Sequence, residues 1–375
     1  MIKSVRVATG SMFASMFFLG IGVSIVGATA FRVGYSPGQI GYLLGAQNLG
    51  FGIAVLLGGA ASDLYPKPRI LTIGLVLLAL AFATLYRSDS YALNLLIMVL
   101  MGAGMGGAEA VTDALLLDMH TKNESRYVVI NHFFVSIGSA VIALYLMLLD
   151  LDWSGALFQV AATIGALALI AGFLRPPEQP RAVLKPADIL ATLRQDSSIV
   201  LLFVSGACAI GLGIGSTGII ASYLSELRGF TPGGAQLGLL LFLSGMAIGR
   251  IIFGLLVPHG RARGIVSVGF VAAGLLLSTL YLIALPVWAV YPLLLLSGMS
   301  VAPLLPLTIA LAGLRFRHIA GTAMGVIKVA IPVGGILFPS LIGLVADTVS
   351  FSVALYAFPV IAIIGVVGTV MPERR

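Results

Sequence analysis

The sequence predicts an all-α membrane protein with twelve spanning helices in two pseudo-symmetric six-helix halves. Three observations lead there. Hydrophobic residues make up 59% of the chain and charged residues 9%, with a mean hydropathy of +1.10, whereas a soluble domain carries roughly 25% charged residues. About a dozen apolar runs each approach the roughly 20 residues that a spanning helix needs. Sixteen of the 21 Lys and Arg residues fall in every second gap between those runs, as cytoplasmic loops of membrane proteins do.

The first run, 7–31, follows Lys3 and Arg6. Its KSVR start and Ala28-Thr29-Ala30 have the look of a signal peptide. Removing it would leave an odd number of spans, so it is read as a retained helix. Runs 40–61 and 70–86 flank Lys67 and Arg69; runs 91–118 and 127–149 flank Lys122 and Arg126. Run 154–174 leads into the only long polar segment, 175–197, which holds Arg175, Arg181, Lys185 and Arg194. Its prolines and charges mark a cytoplasmic linker with a short amphipathic piece near 187–194. Six more runs follow at 198–224, 235–257, 265–285, 287–312, 321–346 and 350–371. Their inner gaps hold Arg261 and Arg263, Arg315 and Arg317, and Arg374 and Arg375, while the outer gaps hold only Arg32, Arg87 and Arg228. The expectation is a multi-pass protein of a bacterial-type inner membrane with both termini cytoplasmic. Its domains are 1–174 and 198–375, joined by the linker.

The halves repeat. GYSPGQIG (34–41) joins runs one and two, and GFTPGGAQLG (229–238) joins runs seven and eight, an offset of 195 residues (34 against 229). Gly59 and Gly254 recur at the inner ends of runs two and eight. Duplicated six-span halves with a midplane site are a common construction of secondary transporters. Small-residue stretches such as GAGMGGAEA (102–110) let helices approach closely.

Composition excludes several classes. The net charge of +7 is spread in pairs along loop edges and is no nucleic-acid signal. One cysteine, Cys208, excludes an intrachain disulfide and a Cys-based metal cluster. No zinc spacing, phosphate-binding Gly-rich loop or nucleophile triad is present in the sequence, so no enzyme, metal or cofactor is expected. With nothing to suggest ATP binding, transport must draw on a gradient. The chain is read as a monomer.

The segment GGAASDLYPKPR (58–69) brings a small-residue helix end, an Asp and basic residues together. It resembles the loop between spans two and three of the major facilitator superfamily, where these residues form a charge latch on the cytoplasmic face. Gly59, Asp63, Lys67 and Arg69 match; Pro66 and Pro68 stand where the family has its usual Gly. Within the superfamily, GMGGAEAVTD (104–113), HFFVSIGSAV (132–141), GMAIGRIIFGLL (245–256), APLLPLTIALAG (302–313) and the eleventh run resemble the fucose-permease-like branch. The first run lacks the Asp, and the seventh lacks the acid or Trp before Tyr223, which argues against a neutral-sugar site of the known kind. Arg250 with Gly254 four residues on, together with Lys328, resembles the span-eight Arg and span-eleven Lys of oxalate and monocarboxylate carriers.

Charged groups inside a bilayer are costly and usually functional. Here they are Glu109, Asp113, Arg250 and Lys328, with His132 nearby. Glu109 and Asp113, four apart, share a helix face. At about 1.5 Å per residue Lys328 lies at a depth similar to that of Glu109. Three readings compete: a gate ion pair of Lys328 with Glu109 or Asp113; a cationic clamp of Lys328 and Arg250 on an anionic substrate; or an Arg250 that is structural. Glu109 and Asp113 are also candidate proton carriers, because two close carboxylates cannot readily both ionise. His132 is either a capped buried residue or a relay to Asp113. Asp63 reads as the latch, and Tyr223 as a candidate to stack on a ligand. Pro303, Pro306 and Pro332 should interrupt runs ten and eleven. The expected activity is secondary transport by alternating access, proton-coupled or by exchange, of a small polar metabolite. An organic anion is the first expectation, a proton-coupled sugar the second, an extruded amphipathic compound the third.

Overall fold

The computed structural model describes residues 2–33, 37–120, 122, 124–148, 153–176, 191, 194, 196–256 and 261–369. Residues 34–36 of the first repeat segment, most of the 175–197 linker with its amphipathic piece, and Arg374 and Arg375 lie outside them, as do the side chains of Arg32, Glu124 and Asp347.

The helices run α1 (Val5–Val33), α2 (Pro37–Leu64), α3 (Lys67–Thr84), α4 (Tyr91–Met119), α5 (Glu124–Leu148), α6 (Trp153–Phe173), α7 (Ser198–Ser222), α8 (Pro232–Leu256), α9 (Ala262–Leu282), α10 (Val287–Val301), α11 (Leu304–Arg315), α12 (Ala320–Lys328), α13 (Ala330–Thr348), α14 (Phe351–Ala354) and α15 (Ala357–Gly368). Among the described residues they form twelve stretches long and apolar enough to cross a membrane. Leu57, Leu96, Leu169, Val268 and Trp288 each stand more than half exposed, as lipid-facing side chains do and as a water-facing surface would not tolerate in such number.

Three spans are broken, each about four residues before a proline. Span ten breaks at Ala302 and Pro303, span eleven at Val329, span twelve at Leu355 and Tyr356. Pro306, Pro332 and Pro359 have no N–H to give to the carbonyls of Ala302, Lys328 and Leu355. The missing hydrogen bond weakens the helix at each of these places, while Pro339 is carried inside α13 without a break. Lys328 therefore ends α12.

The chain divides into two compact units. One comprises Met1–Ala191 and Gly313–Val329, the other Thr192–Ala312 and Ala330–Arg375. The first half of span eleven thus belongs with the N-terminal helices. In the first unit α1 packs on α5, α2 on α4, α3 on α4 and α6, and α12 on α2. In the second, α8 packs on α10, α7 on α13 and α15, and α9 on α15. Backbones touch at matched glycines. A Cβ on Gly102 would lie 1.9 Å from the Gln47 carbonyl oxygen, and one on Gly298 2.0 Å from that of Phe242. A Cβ on Gly138 would lie 1.9 Å from the Phe17 carbonyl oxygen, and one on Gly334 2.5 Å from that of Ala207. Both pairs are offset by 196 residues (102 against 298, 138 against 334), so the repeat in sequence is a repeat in packing. The start of the chain is tied to the end of α6: the Ile2 amide donates to the Phe173 carbonyl and the Arg175 amide to the Ile2 carbonyl, both at 2.8 Å.

Candidate functional site

The intramembrane acids of α4 and the base of α12 meet inside the first unit. Glu109 and Asp113 stand one turn apart, in a helix whose Gly102, Gly104 and Gly106 bring neighbouring backbones close. The Lys328 ammonium lies 2.9 Å from Asp113 Oδ2 and 3.8 Å from Glu109 Oε1, and it also donates to the Glu109 backbone carbonyl. Lys328 and Asp113 are 0% exposed and Glu109 is 3% exposed. Ending α12 at Lys328 is what the Pro332 break achieves.

α5 closes the cluster. His132 Nε2 lies 3.2 Å from Asp113 Oδ2, and Asn131 Nδ2 donates to Asp113 Oδ1 at 2.8 Å and to Thr112 Oγ1 at 3.3 Å. Asp113 is thus contacted by two donors, Asn131 and Lys328, and by the His132 ring nitrogen, whose role follows its tautomer. Glu109 Oε1 and Asn131 Oδ1 are buried with no hydrogen-bond partner among the described residues. Counted formally, two carboxylates face one ammonium. Sequence reading selected Glu109, Asp113, His132 and Lys328 but not Asn131 or Thr112. A neutral amide carries no charge signal, and only its place beside His132 could have drawn attention to it.

A second polar contact lies where α2 meets α12. Asp63 Oδ1 accepts from the Gly321 amide at 2.9 Å; Asp63 Oδ2 accepts from the Thr322 amide at 2.7 Å and from Thr322 Oγ1 at 2.6 Å. Ile319 precedes α12 and offers no side-chain cap, so a carboxylate from another helix satisfies the free N–H groups and meets the positive end of the helix dipole. The crossing is tight: a Cβ on Gly59 would lie 2.5 Å from the Gly321 carbonyl oxygen. Lys67 Nζ pairs with Asp118 Oδ2 at 2.7 Å, while Arg69 is exposed.

Two residues singled out in the sequence lie in the second unit. Arg250 is half-buried on α8. Tyr223 opens a π-helical turn, Tyr223–Leu227, after α7. Its hydroxyl donates to the Leu280 carbonyl and accepts from Arg228 Nη1 at 3.2 Å, and its ring meets Tyr281 edge-on at 5.0 Å. Arg228 also donates to the carbonyls of Ile283 and Leu285. Tyr223 is therefore built into a clip between the end of α7 and the turn after α9.

The sequence pattern of the Major Facilitator Superfamily matches residues 7–211 and 202–375. No curated protein matches the chain by sequence. Among solved structures, the fucose:proton symporter FucP of E. coli is similar, with a TM-score of 0.80, 16% identity, and coverage of 96% of this chain and 97% of that one. The proton:xylose symporter XylE bound to 6-bromo-6-deoxy-D-glucose is similar too, with a TM-score of 0.70, 12% identity, and coverage of 96% and 94%.

Proposed function

We propose, for a chain that belongs to the Major Facilitator Superfamily and is a multi-pass membrane transporter, that it couples the movement of a small polar solute to a proton. The observation that carries this reading is Lys328 set 2.9 Å from Asp113 and 3.8 Å from Glu109 in a buried site. One ammonium against two carboxylates leaves an excess negative charge in an apolar medium, where an uncompensated charge is expensive. A proton on one acid, or on His132 beside Asp113, cancels it. The cluster can then change state by exchanging that proton, and Glu109, the acid farther from Lys328, is the group that carries it. The Asp63 contact at the start of α12 is the latch that holds the same helix segment in place while the exchange occurs.

The same charge accounting bears on the solute. Lys328 is already balanced by Asp113, so an anion arriving at Lys328 would restore the excess charge unless it displaced Asp113. A neutral polar solute such as a sugar or polyol avoids that penalty. Fucose and xylose are the solutes named for two transporters of similar fold. An organic anion, expected from the two intramembrane cations Lys328 and Arg250, is the second reading; it draws on the full burial of an ammonium that could accept a carboxylate in exchange for Asp113.

Purified protein in proteoliposomes tests both. Labelled monosaccharides, polyols and small carboxylates are offered under an inward proton gradient, with sodium replaced by choline as control. The expected result is gradient-driven accumulation of a neutral solute with simultaneous alkalinisation outside, lost in Glu109→Gln. Accumulation of a carboxylate alone would select the second reading. Uptake that ignores the proton gradient in the wild-type protein overturns the coupling.

A further inference from the structure

We propose that Asn131 is a positioning residue, whose amide holds Asp113 as the standing counter-ion of Lys328 and so leaves Glu109 as the acid that takes the coupling proton. This assignment rests on the proton-coupled reading above and divides the work between the two acids.

An ionised carboxylate only accepts hydrogen bonds. Asp113 is surrounded accordingly: Asn131 Nδ2 at 2.8 Å from Oδ1, Lys328 Nζ at 2.9 Å and His132 Nε2 at 3.2 Å from Oδ2. Asn131 turns its nitrogen, not its oxygen, toward Asp113. A protonated Asp113 could have given its O–H to the amide oxygen, yet Asn131 Oδ1 accepts nothing among the described residues. The second hydrogen of the amide points to Thr112 Oγ1 at 3.3 Å, on the residue next to Asp113, so the amide is held from two sides of one helical turn.

Glu109 has the opposite surroundings. Its Oε1 lies 3.8 Å from the ammonium, beyond hydrogen-bond reach, and has no donor. Lys328 instead spends a hydrogen on the Glu109 backbone carbonyl. The titratable groups facing Asp113 are Lys328 from α12, His132 from α5 and Glu109 from its own helix; the α1 side chain that reaches the neighbouring Thr112 is the uncharged Met16. One acid is fully served as an anion and the other is not. A buried donor is expensive to lose, which makes Asn131 the group that keeps the two acids unequal.

Infrared spectroscopy of the purified full-length protein reads protonated carboxyl groups through their C=O stretch and tests the assignment. The wild-type protein is expected to carry one such band at transport pH, removed by Glu109→Gln. Asn131→Asp keeps the side-chain size but replaces the donor by an acceptor. Two carboxylates in contact cannot both ionise, so a second protonated band is expected. Asn131→Ala is expected to add a band that Asp113→Asn removes in the same background. Solute-driven proton uptake should fall about tenfold in both, the order of effect expected for one hydrogen bond to a charged group. If the alanine variant does not fold, the isosteric aspartate variant carries the test. Asn131 variants that retain the single wild-type band, still removed by Glu109→Gln, with an unchanged proton-to-solute ratio, overturn the positioning role while proton coupling stands. A wild-type protein with neither a protonated band nor solute-driven proton movement overturns both.

Discussion

Asp63 caps the amino end of a helix whose Gly321 lies 258 residues further along the chain, accepting three hydrogen bonds from Gly321 and Thr322. The contact joins α2 to the first half of span eleven, and it works because no residue local to α12 supplies the cap. Asp63→Ala should destabilise the protein by about 1–2 kcal/mol, the range for losing a helix cap. Asp63→Asn, which keeps an acceptor oxygen but not the charge, should lose less. Thermal unfolding of both variants in detergent checks the order; equal losses would mean that the hydrogen bonds contribute nothing beyond the charge.

Gly59 lets that crossing close. Because an added Cβ would lie 2.5 Å from the Gly321 carbonyl oxygen and 3.0 Å from the Gly325 Cα, even Gly59→Ala must push two backbones apart. The expected cost is about 1–3 kcal/mol, the range for overpacking. Gly10→Ala, where a Cβ meets nothing within 4 Å inside α1, is the matched control and should hold or slightly raise the unfolding temperature, since Ala favours a helix interior over Gly. A tolerant Gly59→Ala protein would show that α12 can shift without loss.

Lys328 and Asp113 should behave as a pair. Lys328→Met strands a buried carboxylate and should cost about 3–5 kcal/mol. Lys328→Met combined with Asp113→Asn removes both charges and should recover most of that loss. A double-mutant cycle by equilibrium unfolding measures the coupling. Strict additivity of the two substitutions would deny the pairing.

His120 supplies a pH test outside the spans. It follows α4, its Nε2 lies 2.8 Å from Thr9 Oγ1, and it stacks on Tyr127 with ring centroids 3.6 Å apart. Burial lowers its proton affinity below that of a free histidine. The unfolded chain therefore binds a proton at about pH 6.5 that the folded chain binds only at lower pH. Between those two values the unfolded state holds more protons, so stability rises with pH across that window and falls as pH drops. The unfolding temperature should increase as the pH rises toward about 6.5 from below, with a smaller slope in His120→Gln. An identical slope in the variant would remove His120 as the cause.

Much of this architecture can be read from residue order alone. Twelve spans follow from apolar run length, and the breaks in spans ten and eleven follow from Pro306 and Pro332, since a missing N–H acts locally. The break in span twelve, before Pro359, obeys the same rule but went unread because no charge drew attention to that span. The meeting of Lys328 with Glu109 and Asp113 was legible because depth follows from counting residues along a helix of known rise. Its partition was not: which acid takes the ammonium at 2.9 Å, and which is left at 3.8 Å, depends on side-chain angles. Asn131 was silent for the same reason, since a neutral amide becomes informative only once its partners are known. The Tyr223 hydroxyl, engaged by the Leu280 carbonyl and Arg228, depends on a π-helical turn with no period of its own to read.

The division of span eleven at Val329 has a consequence for biosynthesis. Helix α4 leaves the ribosome long before Lys328, which follows Glu109 by 219 residues, is translated. Throughout that interval the first unit holds its two acids without their ammonium and Asp63 without the helix it caps. The first unit is thus finished by a helical segment made long after its other helices. A nascent protein arrested before residue 328 would hold those acids without their counter-ion, and would be distinguished from the mature form by protease sensitivity where α4 and α5 leave the membrane.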